Sequence, residues 1–212
     1  MVGDHKMSRK IVTALALSGI IILLIWKISS EKMGILAGNK LPATGQTESY
    51  AEYDDGYFRS GSELRFQDNS DGTITDLNTG LMWGKSGYAE NDVDPPVAYQ
   101  SEGRWRRYFW NQALLYCERL QLGSYDDWRL PDYKELTSIL DLSRMEPCVD
   151  EEYFPGTRTD FYWTSTSFAY QTSQAWYVYF NLGYVNHINK NNYFYVRPVR
   201  DSGLPAERPL HE

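Results

Sequence analysis

From residue 161 onward, apolar and polar positions alternate with period two, the pattern of strands that present one row of side chains to each side. Trp176, Val178 and Phe180 fall in one row and Ala175, Tyr177 and Tyr179 in the other. Asn181-Leu182-Gly183 then supplies a turn, and residues 195–200 read as a closing strand whose end Pro198 confines to a sheet edge. Upstream, residues 64–66, 73–75 and 81–83 are short strand candidates, separated by the turn sequences Asp71-Gly72 and Asn78-Thr79-Gly80.

Between these regions the period becomes helical. Across residues 108–122, Trp110, Ala113, Leu114, Cys117 and Leu120 recur on one helical face. Pro131 enforces an extended entry to a second helix, in which Asp132 can cap, Glu135 occupies the capping-box position, and Leu136, Ile139 and Leu140 form a buried stripe. Asp127, Trp128 and Arg129 precede it as a polar-aromatic corner. Trp128 is expected in the core, with Arg129 paired to a carboxylate or capping carbonyls. The sum is an α+β domain over residues 62–203, with a short tail at 204–212.

The N-terminus differs in kind. Residues 11–26 are sixteen positions without a charge, bracketed by Lys10 and Lys27. As a helix the run spans roughly 24 Å, against a hydrocarbon core of about 30 Å, and flanking lysines can snorkel across the difference. A cleaved secretory signal is the competing reading, with Ala37-Gly38 as its small-residue site. The reading favoured is an uncleaved signal anchor at 11–27, with residues 1–10 cytoplasmic. Residues 28–61 then act as a linker rich in Gly and Ser that ends in an acidic aromatic stretch. Such a chain is a single-pass protein of a bacterial inner membrane, its C-terminal domain periplasmic or surface-exposed.

In an exported domain Cys117 and Cys148 are a candidate disulfide; the alternative is that both are small buried apolar residues. Charge narrows the partners. From Leu41 onward there are 15 Lys and Arg against 26 Asp and Glu, a net of −11, whose field repels nucleic acid and sulfated glycans. Arg104, Trp105, Arg106 and Arg107, beside Tyr108, Phe109 and Trp110, form a basic aromatic loop that could bind a glycan or lie solvated.

Catalytic and metal chemistry find little support. Three histidines, His5, His187 and His211, cannot assemble a triad or a metal site when one is N-terminal and one is in the tail. Asp68, Asn69, Asp71 and Asp76 lack the alternate-position spacing and terminal Glu of an EF-hand, so they read as turn residues. No cofactor and no metal are expected.

The blocks DNSDGTITDLNTGLMW, DWRLP, YWTST and YVRPVR, in this order over residues 64–200, resemble the Lcl C-terminal domain, found in a bacterial collagen-like adhesin. The resemblance implies a C-type-lectin-like fold, two helices on a small, mostly antiparallel sheet, and it implies adhesion or ligand recognition more than catalysis. A collagen stalk is absent from this chain, as are the calcium-dependent sugar motifs of true C-type lectins. The related formylglycine-generating enzymes offer a rival oxidoreductase reading. Their chemistry uses a cysteine pair near the end of the domain, whereas Cys117 and Cys148 lie on a helix and a mid-chain loop.

Residues 177–195 also resemble the variable region of proteins diversified by retroelements that mutate template adenines. Tyr179, Leu182, Tyr184, His187, Ile188, Tyr193 and Phe194 are each reachable from an Asn codon by adenine changes, and Asn186, Asn189, Asn191 and Asn192 would be unchanged codons. With Tyr177, these positions, Asn192 apart, are the expected ligand-binding residues, and they are expected to share one exposed face. Tyr and Asn suit that role, giving rigid contact area and adaptable hydrogen bonds. The ligand, protein or glycan, is left open.

Overall fold

The computed structural model describes residues 41–86, 99–100 and 106–203. The expected anchor at 11–27, its flanks 1–10 and 28–40, Arg104 and Trp105, and the tail 204–212 lie outside the described residues. Among the described residues no helix is long and apolar enough to cross a membrane.

Residues 41–61, assigned above to the linker, run along the domain. Ala43 N–H donates to Ser62 O at 2.7 Å, Ser62 N–H to Leu41 O at 2.9 Å, and Leu142 N–H to Thr44 O at 2.6 Å. Gly61, at φ +103°, allows this close pass, since a Cβ there would stand 2.7 Å from Ala43 Cα. Helix α1 (Asp55–Phe58) sits within the segment, capped by Asp54, whose Oδ1 accepts the Tyr57 N–H at 2.9 Å.

The first sheet takes strands β1 (Phe66–Asp68), β2 (Thr73–Asp76) and β3 (Leu81–Gly84), joined by the expected turns, and adds β9 (Val199–Asp201) at its edge. All pairs are antiparallel. The register sets Ile74 against Trp83 and Trp83 against Val199, a ladder of three fully buried side chains that fixes which face meets the core. A two-stranded pair, β4 (Tyr99–Gln100) and β5 (Arg106–Arg107), leads into α2 (Trp110–Arg119). Helix α3 (Tyr133–Thr137) follows with a capping box: Glu135 N–H donates to Asp132 Oδ1 and Asp132 N–H to Glu135 Oε2, both at 2.8 Å. Both helices are shorter than the apolar periodicity predicts, because residues 120–122 and 138–140 keep their core contacts while leaving the helical path.

The second sheet is β6 (Phe161–Ser167), β7 (Gln174–Tyr179) and β8 (Tyr184–Asn189), in that order and antiparallel. Residues 195–199 stitch the sheets together: Trp163 N–H donates to Tyr195 O at 3.0 Å, and Arg129 and Val199 exchange two bonds of 2.9 Å. The expected strand at 195–200 is thereby reduced to 199–201, since residues 195–198 bridge elements instead of extending one ladder.

Two apolar clusters result. Ile74, Trp83, Leu136, Ile139, Val149, Phe154, Tyr162, Val178 and Phe180 belong to one. Tyr108, Ala113, Cys117, Trp128, Trp163, Ala175, Tyr177 and Phe194 belong to the other. The two rows of β7 therefore feed different clusters, so both its faces are buried. Cys117 lies in the second cluster and Cys148 in the first, and both are free thiols. Of the two readings of the pair, the structure has each cysteine as a small core residue; burial pushes both thiols up. Trp128 is buried as expected and donates its indole N–H to Leu122 O at 3.1 Å, while Arg129 grips both oxygens of Glu135 at 2.6 Å. Arg197 is fully buried, with no carboxylate partner among the described residues. It donates instead to Gly84 O and Lys85 O at 2.9 Å and to Thr157 Oγ1 at 2.7 Å.

Candidate functional site

The β7–β8 hairpin carries most of the residues singled out in the sequence. Its register runs Ala175↔Ile188, Trp176↔His187, Tyr177↔Asn186, Val178↔Val185 and Tyr179↔Tyr184. Cross-strand partners share a face. Tyr177, Tyr179, Tyr184, Asn186 and Ile188 therefore stand on one side, and His187 and Asn189 on the other. The expectation of a single shared face is corrected here, because a row of consecutive strand residues cannot present both parities to one side.

On the first side the rings form a continuous row. Tyr184 lies 5.0 Å from Tyr179, Tyr179 stacks on Phe161 at 4.5 Å, and Phe161 meets Tyr177 and Phe194 at 5.0 Å each. Exposure falls along that row. Tyr184 is 43% exposed, Tyr179 is half-buried, and Tyr177 and Phe194 are buried at 7% and 8%. Tyr177 and Phe194 are thus core residues and not surface. Phe194 also exchanges backbone bonds with Tyr108 at 2.9 and 3.1 Å, which ties the hairpin's exit to the start of α2.

On the second side His187 stacks on Phe168 at 3.7 Å, with planes 6° apart, and meets the edge of Trp176 at 5.2 Å. Its Nδ1 is 2.6 Å from Gln174 Oε1. Tyr133 and Tyr170 extend this aromatic group to the surface. Period-two alternation places Trp176 in a row with Val178 and Phe180 and is silent on Phe168, Tyr133 and Tyr170, which come together only through tertiary packing.

The turn forms a third group. Gly183, at φ +71°, sits against Leu142, whose Cδ2 a Cβ would strike. Glu146 N–H donates to Asn181 O at 3.1 Å and Cys148 N–H to Phe180 O at 2.7 Å, so residues 142–148 support the turn from below. Leu182, Leu142 and Met145 are exposed there. Past β8, Asn191 is exposed, and Tyr193 packs on Phe109 at 3.9 Å between ring centroids. Lys190 donates to Ser167 Oγ at 2.7 Å and covers the Trp110 ring at 3.7 Å, clamping that loop onto α2.

Residues 161–189 contain no Asp, Glu, Lys or Arg, in a domain otherwise heavily acidic. Burial, and then the neighbouring Tyr184 hydroxyl, hold the Tyr177 phenol above its ordinary value. Such a surface offers aromatic area, hydroxyls and amides without a long-range field. Basic residues lie at its margin. Arg107 pairs with Asp160 and lies 4.9 Å over the Tyr195 ring, so this part of the 104–110 loop is fixed in an ion pair. Among the described residues no group of three His, Cys, Asp or Glu side chains could hold a metal ion.

The Lcl C-terminal domain family matches over residues 72–200, a span that takes in the second sheet, both longer helices, the hairpin and most of the first sheet, β1 lying before it, and the chain belongs to that family. Comparison with curated proteins gives no match.

Proposed function

We propose that this protein is an extracytoplasmic recognition or adhesion module, held at the membrane through residues 11–27, and that the β7–β8 hairpin is its ligand-binding element. Its arrangement of helices around a small antiparallel sheet is read as C-type-lectin-like. One observation carries the proposal: an uncharged surface of Tyr179, Tyr184, Asn186 and Ile188 stands on a scaffold in which Val178 and Phe180 are fully buried. A monomer has no folding reason to expose Tyr184 on this face or Leu182 at the adjoining turn, and such side chains typically anchor interfaces. The ligand is a cell-surface protein or glycan. Nucleic acid is disfavoured by the net charge, and the domain is read as non-catalytic.

Retroelement diversification of the hairpin fits the same division. Leu182, Tyr184, Asn186, Asn189 and Asn191 are exposed, Tyr179, His187, Ile188, Asn192 and Tyr193 are half-buried, and Val178 and Phe180 between them are core. Phe194 is the departure, since diversifying a buried ring would disturb the fold. A pull-down from candidate target cells tests the reading: the native domain is compared with one carrying Tyr179→Asn, Leu182→Asn, Tyr184→Asn and Ile188→Asn. Loss of specific partners in the second supports the hairpin; retention of all of them rejects it. A reverse transcriptase gene beside a near-copy of the hairpin's coding segment would establish diversification.

A further inference from the structure

Leu142 is 50% exposed, yet two different parts of the chain hold it. Its backbone N–H donates to Thr44 O at 2.6 Å. Its side chain lies against Gly183, the glycine at φ +71° that closes the β7–β8 turn and donates its own N–H to Tyr179 O at 2.8 Å. The loop around Leu142 is tied to itself. Asp141 Oδ1 accepts the Ser143 N–H at 3.0 Å, its Oδ2 accepts the Arg144 Nε–H at 2.9 Å, and its N–H donates to Cys148 O at 3.0 Å. Arg144 also pairs with Asp150 at 3.3 Å. With the Glu146 and Cys148 N–H groups bonded to Asn181 O and Phe180 O, a shift of Leu142 passes to the turn instead of being absorbed in the loop.

Residues 41–47 make their side of this contact with little packing. None of residues 41–61 belongs to either apolar cluster. Gly45, at φ +91°, brings the backbone down on the loop, since a Cβ there would strike Asp141 Oδ1 and stand 3.3 Å from the Ser143 N. Beside the contact is a cavity of about 300 Å³, whose lining includes Gln46, Asp55, Arg59 and Glu63. The segment keeps its own shape through Arg59, which donates to Thr47 O at 2.9 Å, and Gln46, which donates to Asp54 Oδ2 at 3.1 Å. An element held by hydrogen bonds and one close glycine contact, with no share in the core, can open locally while the rest of the domain stays folded.

We propose that Leu142 is a positioning residue for the β7–β8 hairpin: docking of residues 41–47 sets Leu142, and Leu142 sets the turn at Gly183. Leu182 and Tyr184 flank that glycine, so the state of the segment is felt at the displayed side chains. The coupling runs both ways, because two equilibria that share a contact bias each other equally. A ligand that orders the turn therefore tightens the hold on residues 41–47. The consequence for binding rests on the reading of the hairpin given above; the coupling itself does not.

Amide hydrogen exchange of the full chain in a mild detergent, resolved by residue, tests it without any ligand. Gly45→Val, which pries the segment off the loop, should speed exchange at both the Leu142 and the Gly183 amides by about tenfold or more. Leu142→Ala should speed Gly183 alone, and Leu142→Met, which refills the contact, should leave it near the native rate. The Trp163 amide, bonded to Tyr195 O in the core, serves as the reference and should not change. Should Gly45→Val fail to fold by circular dichroism, Gly45→Ala replaces it. Release of Leu142 with Gly183 unchanged, Leu142→Met behaving like Leu142→Ala, or Trp163 accelerating in step with Gly183 overturns the proposal. A hairpin that binds nothing would count against the functional reading and leave the coupling standing.

Discussion

Arg200 grips Asp127 through both arms of its guanidinium fork, Nε to Oδ1 at 2.5 Å and Nη2 to Oδ2 at 3.0 Å, and so joins the edge of the first sheet to the corner that precedes α3. The same guanidinium covers the Tyr125 ring at 3.8 Å. Two of the sequence blocks that mark the family are thereby in direct contact, which gives Asp127 and Arg200 a structural role.

The pair predicts a pH response. The Arg200 hydrogen bond holds the Asp127 carboxyl below its ordinary value, and the Lys85 hydrogen bond does the same for Asp68. A carboxylate whose folded pKa is depressed contributes stability above its unfolded value, about 3.9, and loses it as pH falls through the lower folded value. Asp76 has the opposite sign, since burial raises its pKa and its contribution fades as pH rises. Urea midpoints between pH 7 and pH 2 should show an acid limb that flattens in Asp127→Asn. An unchanged limb in that variant would remove the pair from the account.

Core and display positions should separate in stability. Trp128 is 1% exposed, and Trp128→Ala should cost about 3–5 kcal/mol by cavity formation, whereas Tyr184→Ala should change the denaturation midpoint little. Equal effects at the two sites would contradict the assignment of scaffold and surface.

The cysteines give a direct chemical check. Because both thiols are free and buried, an aromatic disulfide reagent should react with neither in the native protein. Both should react after denaturation without reductant. Absence of titratable thiol in the unfolded chain would show that Cys117 and Cys148 had paired after all.

Topology is open to protease. Spheroplasts expressing the full chain should lose the domain to added protease and keep a membrane-embedded stub. Full protection, or a soluble mature protein that starts beyond Ala37, would contradict the anchor.

Much of this was legible in the residues, and the exceptions have physical causes. The turns at Asp71-Gly72 and 78–80, the capping box of Asp132 and Glu135, and the burial of Trp128 follow from local chemistry that a sequence states directly. The two-sided burial of β7 does not, because it depends on α2 and α3 approaching from opposite faces. Tyr177 and Phe194 were drawn into the expected site by residue type alone, when their neighbours Phe161 and Trp163 make them core. The hydrogen bond from the His187 N–H to Asn186 Oδ1 was hidden for another reason. An asparagine that accepts its neighbour's N–H reads in sequence like one that awaits a ligand.

Binding by the hairpin is the central claim, and affinity of the purified domain for intact target cells tests it most directly. Labelled native domain and Tyr184→Ala are titrated onto the same cells, with thermal unfolding measured in parallel. Tyr184→Ala should weaken binding by on the order of 2 kcal/mol, roughly thirtyfold, while its unfolding midpoint stays close to the native value. Equal affinity of the two proteins would contradict the claim and turn attention to the aromatic group of Tyr133, Phe168, Tyr170 and Trp176 on the opposite face.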